Sequence, residues 1–198
     1  MKKIAVVLLC ACVFVCVFAA CGSSSKKSSG STAPAAEPWP APPDPMARAR
    51  AAGLVPETAE RLQFHVHAHL DVFIDGKPIV VPAGIGIDIT NPRVHTFDDG
   101  NGQKSYGGIT VPCDQPCISP LHTHDPDGVL HTESATPKEN TFGQFLVEWG
   151  VTLPANTVVY VDGQRFNGDP RTITLANFKE IAVVIGAPPE KIPNAFPQ

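Results

Sequence analysis

Six of the seven histidines fall in two short clusters. The first reads His65-x-His67-x-His69 and runs on to Asp71. The second reads His122-x-His124-Asp125, passes through Pro126-Asp127-Gly128, and closes on His131-x-Glu133. Imidazoles beside carboxylates form the donor set of a divalent transition metal. Zn or Cu(II) suits it best, and Ni or non-haem Fe is compatible. Methionine occurs only at Met1 and Met46, which argues against a thioether Cu(I) site. On an extended strand, alternate side chains share one face at about 6.6 Å. Two histidines at i, i+2 can therefore chelate one ion, whereas His65 and His69 stand about 13 Å apart and cannot easily share it. The second cluster must complete the set. Its Asp-Pro-Asp-Gly turn would fold His122 and His124 back toward His131 and Glu133 as a hairpin. The expected ligands are thus His65, His67, His69, His122, His124, His131 and Glu133, with both clusters holding one ion jointly. A plain solvated sheet face would also explain an alternating run, but not the concentration of six histidines in two places. His95 stands alone among turn residues and reads as a loop residue.

The elements that would carry these residues are legible around them. Phe64 to Ile74 alternates strictly, with Phe64, Val66, Ala68, Leu70, Val72 and Ile74 on one face and the histidines on the other. Such alternation predicts a strand. Asp75-Gly76 is a hairpin turn, and Lys77–Val81 the expected return strand. Thr141-Phe142-Gly143-Gln144 reads as a capping box. Phe142, Phe145, Leu146 and Trp149 then recur at helical spacing up to Gly150. Thr157–Val161 reads as a strand before a second Asp-Gly turn, and Ile181–Ile185 as the last strand. Hairpin, insertion, helix and two strands give an α+β fold. The order resembles the ubiquitin-like β-grasp, a mixed sheet over one main helix, here with an inserted His-bearing hairpin. A small β-sandwich or barrel is the alternative. The apolar stripe of the first strand should face the helix, leaving the His face pointing outward or beneath the insertion.

The amino-terminal segments read as delivery rather than catalysis. Lys2 and Lys3 precede an uncharged apolar run from Ile4 to Ala20, the pattern of an export signal. Phe18-Ala19-Ala20-Cys21 resembles the lipobox of bacterial lipoproteins, with Phe18 where Leu is usual. The resemblance implies cleavage before Cys21, lipidation of that cysteine, and a protein anchored to the outside of the bacterial cell membrane. An uncleaved anchor or plain secretion is the alternative. Residues 21–44 form a Ser/Pro-rich tether without Ile, Leu, Val or Phe, able to hold a domain about 25 Å from the membrane. Residues 45–62 read as a short helical lead-in that starts at Asp44-Pro45, residues 63–188 as the metal-binding domain, and residues 189–198 as a tail. Trp39 reads as a linker residue that packs locally. Cys10, Cys12 and Cys16 would leave with the signal, so Cys113 and Cys117 remain. In an oxidising compartment they suggest a local disulfide, with half of a zinc site as the alternative.

The pattern H-x-H-x-H-L, D-G-K, P-A-G-I-G-I, L-H-T-H-D-x-D-G-x-x-H-x-E and F-G-Q-F covers most of residues 63–150. It resembles a family of exported prokaryotic His-rich proteins to which no activity is assigned, so the resemblance implies kinship without a function. A net charge of −4 and the absence of a basic run argue against nucleic acid as a partner. There is no Gly-x-Ser-x-Gly elbow, no phosphate-binding loop and no His-Glu-x-x-His. Capture, buffering or sensing of a divalent metal therefore leads, with no protein partner indicated. The alternatives are a metal-dependent enzyme with a three-His open site using Glu133 or Asp125 as base, and a metal-free interaction domain.

Overall fold

The computed structural model describes residues 39–100 and 102–197. The export signal, Cys21 and most of the tether lie outside the described residues. The fold is mixed α+β, with two helices, a seven-stranded mixed sheet and a small two-stranded sheet. No closed barrel forms among the described residues, and none of their helices is long and apolar enough to cross a membrane.

The alternating run forms β1 (Phe64–Ile74). Asp75-Gly76 turns it into β2 (Lys77–Ile79), antiparallel to its end. This return strand is shorter than expected, because β2 borders only Val72–Ile74. The same edge of β1 is taken earlier, over Phe64–His69, by β6 (Val129–Ser134). The other edge pairs in parallel with the final strand β9 (Lys179–Ile185). Beyond it lie β7 (Thr157–Val161) and β8 (Gln164–Arg165). The order β2-β1-β9-β7-β8 is that of the β-grasp. The insertion supplies β3 (His95–Asp98) and β4 (Lys104–Gly107) as the small sheet, then β5 (Leu121–His122), which pairs with β6. The His-bearing hairpin thus widens the sheet at its edge instead of lying over it.

Helix α2 (Phe142–Trp149) forms where expected. Thr141 and Gln144 make the reciprocal capping box, and Gly150 ends the helix at φ 78°. Its Phe142, Phe145, Leu146 and Trp149 share one core with Ala68, Leu70 and Val72 of β1 and with Leu130, Val159, Ile181 and Val183. Burying such side chains is worth about 1.5–3 kcal/mol each. Helix α1 (Pro45–Ala51) begins at the expected proline, although the Asp44 side chain makes no capping bond. Residues 56–62 are not helical. Glu57 instead forms a bridge with Ile118, and the amides of Cys113 and Cys117 donate to the carbonyls of Thr58 and Glu57. Cys113 and Cys117 are disulfide-bonded, at 2.11 Å between sulfurs, and lie in a satellite core with Ile87, Val94, Ile109 and Ile118. Trp39 packs edge-on against Trp149 and accepts its indole N–H at the backbone carbonyl. On the sheet face away from α2, Ile192 from the tail packs on Phe73, Ala182 and Val184.

One core position breaks the apolar pattern. Glu148 of α2 is fully buried, and neither carboxylate oxygen has a hydrogen-bond partner. Burial pushes its pKa up to about 8, and nearby Ser119 opposes this only in part. The folded state therefore holds a proton that the unfolded chain releases above about pH 4.5. Stability should fall as pH rises from about 4.5 to about 8, and level off above. Glu148→Gln should match the parent near pH 4 and exceed it, by of order a few kcal/mol, at pH 9 in denaturant unfolding. Parallel pH profiles for the two proteins would contradict a buried neutral Glu148.

Candidate metal centre

The β1–β6 register places His65 opposite Glu133 and His67 opposite His131, and the β5–β6 register places His122 opposite His131. Side chains directly opposite one another on adjacent strands share a face at about 4.5–5.5 Å. Three strands therefore bring His65, His67, His122, His131 and Glu133 to one patch. His124 joins them from just beyond the end of β5. Six of the seven expected ligands meet there, and the two sequence clusters do combine.

The meeting point is one carboxylate oxygen. Glu133 Oε1 lies 3.2 Å from His65 Nε2, 3.6 Å from His122 Nε2, 3.6 Å from His131 Nδ1 and 3.8 Å from His124 Nε2. His122 Nε2 and His124 Nε2 are 3.0 Å apart, His65 Nε2 and His67 Nε2 2.8 Å, and His65 Nε2 and His131 Nδ1 3.3 Å. Donors bound to one tetrahedral zinc at about 2.0–2.1 Å would stand about 3.3 Å from each other. The observed spacings bracket that value.

Backbone carbonyls fix two of the rings. His122 Nδ1–H donates to the Ser119 carbonyl at 2.8 Å, and His124 Nδ1–H donates to the Tyr106 carbonyl at 2.5 Å. A carbonyl only accepts, so in the neutral rings each proton sits on Nδ1 and each Nε2 presents a lone pair. Two lone pairs then face each other beside a carboxylate that is only 3% exposed, whose Oε2 is buried without a partner. Such a set of acceptors could hold a cation at its centre.

The electrostatics agree with this arrangement. Burial opposes ionisation of Glu133, but the close imidazoles of His122, His124 and His131 favour its charged form more strongly and hold the carboxyl far below the usual range. Burial pushes the His131 pKa down to about 4 against the pull of Glu133, and neighbouring His122, His124 and His67 add to the fall. His67 is lowered by burial and by His65. His124 is raised: desolvation disfavours its charge, but Glu133 and the Tyr106 carbonyl outweigh that. Neutral His67 and His131 are ready ligands near neutral pH.

His69 stands apart from this group. Its Nδ1 lies 2.9 Å from Glu180 Oε2 and 3.7 Å from Asp71 Oδ2, and its Nε2 2.9 Å from the Asp127 carbonyl. Desolvation works against its charged form, but the Glu180 hydrogen bond and charge outweigh it, so its pKa is raised. These three side chains form a further group that could hold a metal ion. His95 lies on the exposed strand β3 and belongs to none of the potential ligand groups among the described residues.

Asp125, Glu133, His65, His124 and His131 line a cleft of about 410 Å³, walled also by Glu60, Phe97 and Tyr106. Sequence reading missed the carbonyls of Ser119, Tyr106 and Asp127, because any residue type can offer one. It also passed over Glu180, which is paired with His69 only through the β1–β9 register. Two glycines make room for the rings. A Cβ on Gly107, at φ 151°, would collide with His124 Nδ1, and one on Gly86, at φ 74°, would collide with the Leu121 carbonyl beside His122. Comparison with protein-family models, curated proteins and solved structures found no match.

Gly107→Ala should displace His124 from the Tyr106 carbonyl while leaving the sheet intact. Loss of such an orienting contact should weaken ion binding about 10–100-fold. Isothermal titration with Zn(II), alongside a circular dichroism spectrum, measures both. Unchanged affinity in a folded variant would show that the His124–carbonyl contact does not position a ligand.

Proposed function

We propose that the protein captures, buffers or senses a divalent transition metal outside the cytoplasm, tethered to the membrane by lipid on Cys21. The observation that carries the metal reading is the facing pair of His122 and His124 Nε2 lone pairs, 3.0 Å apart, with both Nδ1 protons committed to carbonyls. Zn or Cu(II) fits the imidazole-rich donor set best, and Ni or Fe remains compatible with it. The exported location rests on the amino-terminal sequence and on the Cys113–Cys117 disulfide, which suits an oxidising compartment. Kinship with exported prokaryotic His-rich proteins is part of the same proposal.

A second reading is metal-assisted hydrolysis, and the cleft beside the histidines favours it. Glu133 is taken up among the imidazoles, which leaves Asp125 as the side chain placed to act as base on a metal-bound water. An ion with no exchangeable water would exclude this reading and leave storage or sensing.

Zn(II) or Cu(II) should raise the thermal midpoint of the detergent-solubilised full chain. At a free ion concentration 100 times Kd the stabilisation should be about 2.7 kcal/mol. A chelator should reverse it, and His122→Ala should abolish most of it. No shift and no binding at micromolar Zn(II), Cu(II) or Ni(II) would overturn the metal reading. Cys21→Ser should yield an unlipidated, mislocalised precursor. A variant with the parent's mass and membrane fractionation would refute the lipid anchor.

A further inference from the structure

The six converging donors exceed what one tetrahedral ion accepts, which is four. They also fail to close on one centre. Atoms bound to a single ion at about 2.1 Å stand no more than about 4.2 Å apart. The six do not all lie within 4.8 Å of one another but form two overlapping sets that do: His122, His124, His131 and Glu133 in one, and His65, His67 and His131 in the other.

The arrangement about His131 is nearly symmetric. Its ring centroid lies 4.4 Å from those of His67 and His124, both steeply inclined to it. It lies 5.6 Å from His65 and 5.4 Å from His122, at 30° and 12° between planes. Each outer pair brings two ring nitrogens together, with Nε2 atoms 2.8 Å apart in His65/His67 and 3.0 Å in His122/His124. Glu133 Oε1 reaches both pairs, and its buried Oε2 is left over for a further bond.

Resting on the metal-binding reading above, we propose that the centre is binuclear. One divalent ion sits on His122, His124 and Glu133, and a second on His65, His67 and His131. Both ions take borderline imidazole donors, so the site is built for a pair of Zn(II) or Cu(II) ions. Three protein donors leave each ion an open coordination position. The cleft lined by His65, His124, His131 and Glu133 gives that position access to solvent or to a small anion.

The test is metal stoichiometry of the detergent-solubilised full chain, loaded with Zn(II), desalted and measured by elemental mass spectrometry. Two ions per chain are expected in the parent protein. His65→Ala/His67→Ala and His122→Ala/His124→Ala should each keep one, and the quadruple variant none. Loaded with Cu(II), the parent should show the loss of isolated Cu(II) signal that spin coupling brings, and each double variant should show an ordinary isolated signal. His→Asn pairs provide a second set should an alanine pair fail to fold by circular dichroism. One ion in the parent, lost in either double variant, would overturn the binuclear centre and leave a single joint site. No bound ion in the parent would overturn the metal-binding reading as well. Two ions retained in either double variant would place an ion elsewhere and also overturn the proposal.

Discussion

The register of β1 against β6 is the constraint on which the centre depends. It sets His67 across from His131 and His65 across from Glu133. A slip of one residue would carry every side chain of the moved strand to the opposite face. The imidazoles would then press on α2, and Ala68, Leu70 and Val72 would face solvent. Those residues and Leu130 are nearly fully buried, at about 0.8 kcal/mol per buried methylene. The apolar half of the alternation therefore holds the polar half in place. The ligands need no register signal of their own.

Convergence has an electrostatic cost. Five imidazoles and a carboxylate are brought within a few ångströms of each other, and water is largely removed from Glu133, His122 and His131. The protein offsets part of this with the Ser119 and Tyr106 carbonyls and with rings held neutral. It does not offset the remainder, since Glu133 Oε2 stays unpartnered. A bound cation would settle that balance, coupling the fold to its occupancy. The Cys113–Cys117 bond lies just before Ser119, so a covalent closure stiffens the segment that supplies one of the two carbonyls.

Much of this was legible in the sequence, and the rest was hidden for identifiable reasons. Strict alternation exposed β1, two Asp-Gly turns exposed the hairpins, and Thr141 with Gln144 marked the start of α2. These are local signals, each complete within a few residues. The distance along β1 separates His65 from His69, and His69, expected among the ligands, pairs instead with Glu180. What could not be read was pairing across strands. Glu180 meets His69 across a separation of 111 residues, and nothing in the local sequence of either residue announces the other. The insertion was expected to cover the His face or to leave it pointing outward. It became sheet because Val129–Ser134 found the free edge of β1, and the short β2 left that edge open. Pro56–Leu62 was expected as part of a helical lead-in, yet the Glu57 amide and the Glu57 and Thr58 carbonyls bond to the disulfide segment.

The parallel pairing of β1 with β9 fixes an order of events in time. A chain that emerges amino terminus first presents β9 (Lys179–Ile185) after every other described strand. Until it arrives, one edge of the central strand has no neighbour, and pairing across so long a separation is slow. The six converging ligands all lie between His65 and Glu133, so they are complete much earlier and need a shorter loop to meet. In an exported chain that emerges amino terminus first, an ion gathered at that stage would hold β5, β6 and β1 together before the last strand docks.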